Sequence, residues 1–281
     1  MYSPPSEPAV EQRMRAHQQR AAQALAVDVW TEGEFWGWAG RTLGAPARTA
    51  AGQPAWLRLV AVPADKATGK LWEGAVSAQQ ALGDLDGRRP ALLGVHNETE
   101  DGTAYRAELS VGVDEPVLSL TPVLHEDLGL PDSWWSELAG ALDKLSATTT
   151  DRVTVRPQYM ERAIPQFVGI PAPDAPCWDT AHGDLHWANL TAPLRILDWE
   201  GWGQAPASFD CAMLYAYSLL DPDTAARVRE VFPVLGTADA LAAEATVCAM
   251  LLQTVDRGDN LVLADELGVW AENLRRRSPS S

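Results

Sequence analysis

The chain has 281 residues, 46% hydrophobic and 21% charged, enough for one large domain or two lobes with real cores. Its formal net charge of −16 argues against a nucleic acid or an anionic membrane as the main partner. The same acidity suits a cationic small molecule, or serves solubility alone.

Cys177, Cys211 and Cys248 lie far apart and form no CxxC pair, so they read as free thiols in a reducing compartment. The start lacks a basic segment followed by an apolar one, and no apolar run approaches a membrane span, so a cytoplasmic location is expected. Nothing in the chain specifies an oligomeric state.

Residues 1–10 are rich in Pro and Ser, and 1–20 are expected to form a flexible N-terminus. Residues 11–27 read as a helix with a weak apolar face that packs loosely. Phe35–Gly44 alternates aromatics, Trp38 among them, with glycines, and Ala55–Val62 is a strand by residue type. Gly37, Gly40 and Gly44 do not form GxGxxG; they let a hairpin backbone approach phosphates, or simply close a tight turn. Arg58 lies on the strand, and Leu71–Leu82 reads as a helix with Glu73 in its first turn.

Residues 84–90 form a loop, followed by three strands over 91–95, 105–113 and 117–122. His96 precedes a solvated hairpin end, and His125 reads as structural or exposed. Pro131–Leu145 is a helix whose Trp134, Trp135, Leu138, Leu142 and Leu145 recur at helical spacing and belong to a core. A Thr-rich connection over 147–155, a helix from Pro157 to about Ile164 and a proline-rich passage over 165–176 lead to the most informative stretch.

That stretch is residues 182–203. Leu190-Thr191 and Ile196-Leu197 are β-compatible, with a turn at Ala192-Pro193. A turn centred between Pro193 and Leu194 sets 190 opposite 197 and 189 opposite 198, with Cβ atoms about 5 Å apart. Asn189 and Asp198 can then reach one small cation, and Asp184 lies one loop upstream. Two hard oxygen ligands beside a carboxylate suit magnesium-assisted phosphoryl transfer. The carboxylate orients, and takes a proton from, an attacking hydroxyl. Each residue alone has a plainer reading as an exposed loop acid, an Asx turn or a strand-end cap. The spacing of all three is what outweighs it.

A rival reading takes His182-x-Asp184-x-His186 as transition-metal ligands of a hydrolase. It lacks supporting histidines, since His17, His96 and His125 lie in no ligand-like cluster. Downstream, Pro206–Leu220 reads as a buried helix, with further helices over 224–234, 238–255 and 261–275 and a basic tail over 276–281.

His182-Gly183-Asp184-Leu185-His186-x-x-Asn189 together with Leu197-Asp198-Trp199-Glu200 resembles the signature of the aminoglycoside phosphotransferase/choline kinase-like family. The resemblance implies an α+β, two-lobed protein-kinase-like fold, with a strand-rich N-terminal nucleotide-binding lobe over 21–122 and a helix-rich C-terminal catalytic and substrate lobe over 123–275. It implies ATP and Mg2+ as cofactors and a small-molecule hydroxyl as acceptor, with an amino sugar or aminoglycoside first. Kinase action on a peptide Ser/Thr, and nucleotide binding without transfer, stand as alternatives.

The resemblance gives Asp184 and His186 the catalytic positions and Asn189 and Asp198 the metal. Gly37, Gly40, Arg58 and Glu73 fall to the nucleotide, and residues 121–127 to the hinge that pairs with adenine. His182 braces the loop, Asp210 supports its backbone, and Glu200 helps hold a second metal or a cationic substrate, or is a solvated loop acid. Two departures stand out. The family's strand lysine is replaced by Arg58, paired by expectation with Glu73, with Lys66 and Lys70 as loop alternatives. The Pro-Gly that commonly follows the second histidine is Trp187-Ala188 here.

Overall fold

The computed structural model describes residues 3–37 and 39–278, and the chain divides into two compact units between Asp114 and Glu115. The division falls earlier in the chain than residue 123.

The first unit is an antiparallel sheet with a helix on its apolar face. The strands are β1 (Val27–Val29), β2 (Phe35–Trp36), β3 (Thr42–Thr49), β4 (Pro54–Pro63), β5 (Leu92–Glu100) and β6 (Thr103–Val111), in the order β1-β3-β4-β6-β5, with β2 also on β3. Strand alternation sorts the side chains. Leu43, Ala47, Ala55, Leu57, Leu59, Tyr105, Ala107 and Leu109 form a buried core with Met14, Ala21 and Ala22 of helix α1 (Pro8–Ala24).

The expected loose, flexible N-terminal helix is therefore corrected: α1 is part of the core. Its polar residues are anchors rather than a solvated face. His17 is 1% exposed, stacks on Tyr105 at 3.4 Å and sits 3.1 Å from Glu98 and 3.0 Å from Glu100. Gln18 Nε2 donates to the Leu43 carbonyl at 3.2 Å. An apolar count undervalues such a face because these polar groups are satisfied on burial. Helix α2 (Lys70–Leu82) follows β4, and its Gln79 side chain accepts the Leu92 N–H at 2.7 Å.

The second unit is helical around one small sheet. It contains α3 (Asp132–Ser146), α4 (Pro157–Ala163), β7 (Trp178–Ala181), β8 (Gly203–Pro206), α5 (Phe209–Tyr217), α6 (Pro222–Val231), α7 (Leu241–Asp256) and α8 (Ala264–Arg277). Trp134, Trp135, Leu138, Leu142 and Leu145 of α3 are all buried, as their spacing predicts. Helix α7 is buried over most of its length and packs against α4, α5 and α8. The passage after α4 does not leave the helix at Pro165 but continues as a π-type turn over Ile164–Val168, which tolerates the missing proline N–H. Arg276 and Arg277, expected in a loose tail, are the last turn of α8, where Arg277 donates to the buried Glu244 at 2.6 Å. Residues 279–281 lie outside the described residues. Among the described residues, no helix is long and apolar enough to cross a membrane.

The strand expected over 117–122 does not join the first sheet. Val117 instead bridges Thr191, and the Leu118 N–H donates to the Leu190 carbonyl at 2.8 Å. Proline at 116 and 122 removes the donors a longer ladder would need.

Candidate active site

The site grows from the β7–β8 pair. These strands pair antiparallel with Trp178 opposite Pro206 and Ala181 opposite Gly203, so residues 182–202 form one closed excursion. Short strands of this kind carry little periodic signal, and the sequence alone does not reveal them.

The excursion is pinned at its base by Asp210, in the first turn of α5. Its carboxylate accepts the N–H of His182 at 2.6 Å and of Gly183 at 2.9 Å. Burial pushes the Asp210 carboxyl above the ordinary carboxylate value, and His182 and the two N–H groups oppose that rise. His182 is fully buried, and burial lowers its pKa. Its Nε2 lies 2.8 Å from the Leu197 carbonyl, and its Nδ1 accepts the Asp184 N–H at 3.3 Å. The partners define the tautomer: Nε2 carries the hydrogen and Nδ1 accepts. Both ring nitrogens are thereby engaged within the loop, which removes His182 as a metal ligand. Among the described residues, no group of three or more His, Cys, Asp or Glu side chains is placed to hold a metal ion.

Gly183 turns the chain at φ +87°. A Cβ there would lie 2.7 Å from Thr154 and 2.8 Å from the Gly201 carbonyl. The bend turns Asp184 outward, with half of its side chain exposed. His186 follows, nearly buried, with Nε2 3.5 Å from Asp184 Oδ2 and 3.3 Å from Asn189 Nδ2. Its Nδ1 is buried without a hydrogen-bond partner among the described residues.

Asn189 Nδ2 also donates to the Asp184 carbonyl at 3.0 Å. With the amide nitrogen committed, Oδ1 is the atom this side chain can offer a cation. Trp187 drops into the core, where Nε1 donates to Ser218 Oγ at 3.0 Å and the ring packs against Trp134 and Trp135. The Trp that replaces proline is thus the floor of the loop rather than part of its outer surface.

The hairpin exists with a register shifted from the expected one. Leu190 bridges Ile196, and the Leu197 N–H donates to the Asn189 carbonyl at 2.9 Å. Asn189 therefore stands opposite Leu197, not Asp198. The turn is one residue tighter because Thr191 Oγ1 closes it, accepting the Arg195 N–H at 3.0 Å and donating to the Pro193 carbonyl at 2.6 Å; the Ala192–Pro193 peptide is cis. Asp198 comes next, exposed and in the left-handed region at φ +59°. That conformation bends the chain immediately after Leu197, so the Asp198 side chain is not bound to strand alternation. An amide oxygen and a carboxylate are donor types that could serve magnesium, which takes few protein ligands and keeps positions for phosphate and water.

The turn after Asp198 is held by residues the sequence shows only as a connection. Arg152 donates to the Trp202 and Glu200 carbonyls, both at 3.1 Å, and packs over the Trp202 ring. Thr154 Oγ1 donates to the Gly201 carbonyl at 2.6 Å. The polar–apolar alternation of Arg152-Val-Thr-Val is the signal that could have marked this segment as an edge.

The other sequence-predicted residues lie in the first unit. Gly37 and Gly40 form the β2–β3 turn: the Gly37 N–H donates to Thr42 at 3.0 Å, the Gly40 N–H to Gly37 at 3.1 Å, and Gly40 has φ +67°. Trp38 lies outside the described residues. Arg58 is on β4, but its ion pair is with Glu108, Nη1 to Oε2 at 3.4 Å, and not with Glu73. The register explains the correction, because Arg58 stands directly opposite Glu108. Glu73 instead accepts the Gly69 N–H at 3.4 Å, at the start of its own helix.

No protein-family model matches the chain, and no curated protein matches it in sequence. Solved structures do match in fold. Aminoglycoside phosphotransferase APH(4)-Ia superposes with a TM-score of 0.65 at 12% identity, over 95% of this chain and 99% of that one. Amicoumacin kinase hAmiN, solved with AMP-PNP and Ca2+, gives 0.59 at 10% identity, over 96% of each chain. Choline kinase LicA from Streptococcus pneumoniae gives 0.53 at 12% identity, over 93% of this chain and 99% of that one. The chain therefore has the protein-kinase-like fold of these small-molecule phosphotransferases, with a strand-rich first unit and a helix-rich second.

Proposed function

We propose that the protein is an ATP- and magnesium-dependent phosphotransferase that moves the γ-phosphate to a hydroxyl of a small molecule, with amino sugars and aminoglycosides the first acceptor class. The observation that carries this reading is the bracing of the loop: Asp210 holds its base, and Asn189 is tied by its amide nitrogen to the Asp184 carbonyl. Asp184 is half exposed and Asp198 exposed, and Asn189 keeps its amide oxygen uncommitted by that tie. The fold likeness to structures solved with ADP and hygromycin B, or with AMP-PNP and Ca2+, supports the same reading.

Asn189 and Asp198 would hold the metal, which supplies charge neutralisation for the phosphates when bound. Asp184 orients the acceptor hydroxyl and takes its proton as the new O–P bond forms and the bond to ADP breaks. His186 Nε2 sits near enough to Asp184 to help hold that carboxylate in place. The Gly37–Gly40 turn and Arg58 serve the phosphates. Positioning and electrostatics then supply most of the rate, as expected for phosphoryl transfer. The acidity of the chain favours a cationic acceptor.

One observation favours binding without transfer as a second reading. The strand cation is an arginine paired across the sheet, where a working kinase of this kind carries a lysine paired to a helix. An acceptor screen separates the two. Purified protein with ATP and Mg2+ is assayed for ADP release over amino sugars, aminoglycosides, amino alcohols and Ser/Thr peptides. Acceptor-dependent release is expected. Thermal stabilisation by ATP and Mg2+ without release from any acceptor would support the second reading, and neither effect would reject both.

A further inference from the structure

We propose, resting on the phosphotransferase reading above, that Glu115 and Arg195 are positioning residues for the cation site. They close a three-segment ribbon that sets the spacing between Asn189 and Asp198.

The ribbon lies wholly within the second unit. Its middle segment is Leu190-Thr191, both fully buried. On one side runs the return of the hairpin: Leu190 bridges Ile196, and the Thr191 N–H donates to the Arg195 carbonyl at 3.2 Å. On the other side runs the segment that opens the unit. There Val117 bridges Thr191, and the Leu118 N–H donates to the Leu190 carbonyl at 2.8 Å. The two proposed cation donors stand at one end of this ribbon. Asn189 directly precedes the middle segment. Asp198 follows Leu197, whose N–H is held by the Asn189 carbonyl at 2.9 Å. Their separation therefore depends on how the return segment sits against the middle one.

The ion pair acts at the other end, where the hairpin turns. An isolated two-stranded hairpin is marginally stable in water, and a third strand is what steadies it. Arg195 is the only Lys or Arg within residues 182–203. It stands three residues before Asp198, yet its Nη2 lies 3.5 Å from Glu115 Oε1. Glu115 belongs to the opening segment, so the pair spans the middle segment and joins the two outer ones. Arg195 Nη1 also donates to the Leu194 carbonyl at 3.1 Å, which holds the guanidinium against its own backbone. Both side chains are partly shielded, at 32% and 24% exposure, so the expected effect is modest and its readout must be specific.

That readout is the gain in ATP affinity that Mg2+ confers, measured by calorimetric titration of the full chain with ATP in EDTA and in excess Mg2+. Arg195→Gln and Glu115→Gln are each expected to lower this gain about threefold and to leave metal-free ATP affinity unchanged. The double variant should lose no more than either single one, because the two side chains act as one tie. Glu115→Arg combined with Arg195→Glu should recover most of the gain, which guards against misfolding as the cause. An undiminished gain in both single variants, additive losses in the double variant, or no recovery in the exchanged pair would overturn the positioning role. Loss of metal-free ATP affinity in Arg195→Gln alone would assign Arg195 to the phosphates and overturn it as well. Wild-type protein that binds ATP with no gain from Mg2+ would overturn the parent metal assignment, and wild-type protein that binds no ATP would overturn the phosphotransferase reading itself; this pair falls with either.

Discussion

Asp210 reaches back 28 residues to hold the His182 N–H at 2.6 Å, and its second oxygen holds Gly183 at 2.9 Å. One side chain in a helix thereby fixes the backbone from which Asp184 projects. Asp210→Ala should destabilise the second unit by about 2–4 kcal/mol, because two charge-assisted bonds to buried N–H groups disappear. Asp210→Asn keeps one acceptor and should lie between. Urea unfolding measures the cost. ADP release by Asp210→Asn, once an acceptor is known, should fall more than nucleotide binding does.

His182 is neutral in the fold, since burial lowers its pKa. In the unfolded chain it takes a proton below about pH 6.5. Its contribution to stability is therefore present above that value and is lost as pH falls through it, because the unfolded state then binds the extra proton. Asp210 acts in the opposite sense from the ordinary carboxylate value of 3.8 upward, its carboxyl being raised by burial. Long-range proton–nitrogen NMR at pH 6 should show the His182 ring neutral with hydrogen on Nε2. A charged ring there would contradict the hydrogen bonds to Leu197 and Asp184.

At Gly183, alanine meets two obstacles. Its Cβ would press on Thr154 and the Gly201 carbonyl, and its backbone would be held at φ +87°. The conformational term alone costs about 1–2 kcal/mol, and the contacts add to it. Gly183→Ala combined with Thr154→Ser should recover part of the loss, since Ser lacks the methyl group 2.7 Å away and keeps the hydroxyl for Gly201. Equal stability of single and double variants would show that strain, not contact, dominates.

For the proposed chemistry, Asp184→Asn should lower the transfer rate by about 10²–10⁴ while Mg-ATP still binds. Asn189→Ala should behave differently. It removes a cation ligand and the tie to the Asp184 carbonyl, so the Mg2+ concentration for half-maximal rate should rise on the order of tenfold. Magnesium titrations of both variants separate the roles, and identical shifts would argue against the division of labour.

The candidate residues stand out in the sequence because they sit at fixed spacing within one excursion. Asp184, Asn189 and Asp198 all lie between β7 and β8, with Asn189 opposite Leu197 rather than Asp198. The register was not legible, because a side-chain hydroxyl, Thr191, tightens the turn by one residue. The Arg58–Glu73 expectation failed for a related reason. Helical and strand positions can be read from pattern, but which carboxylate an arginine meets is decided by strand register, here Arg58 opposite Glu108. The N-terminal helix was undervalued because His17 and Gln18 are buried by hydrogen bonding rather than by apolarity. The Arg152 and Thr154 braces act through backbone carbonyl groups, so the alternation of their segment could mark an edge but not the groups they hold.

The tryptophans beneath the loop have an optical consequence. Trp187, Trp199 and Trp202 lie within residues 182–203, and Trp134 donates from α3 to the Thr191 carbonyl at 2.8 Å. These indoles are fixed, asymmetric and in contact with the chain segment that carries Asp184, Asn189 and Asp198. Near-ultraviolet circular dichroism thereby becomes a readout of the loop itself. Loosening of the site would dim that signal while the far-ultraviolet signal of α7 and α8 is still whole.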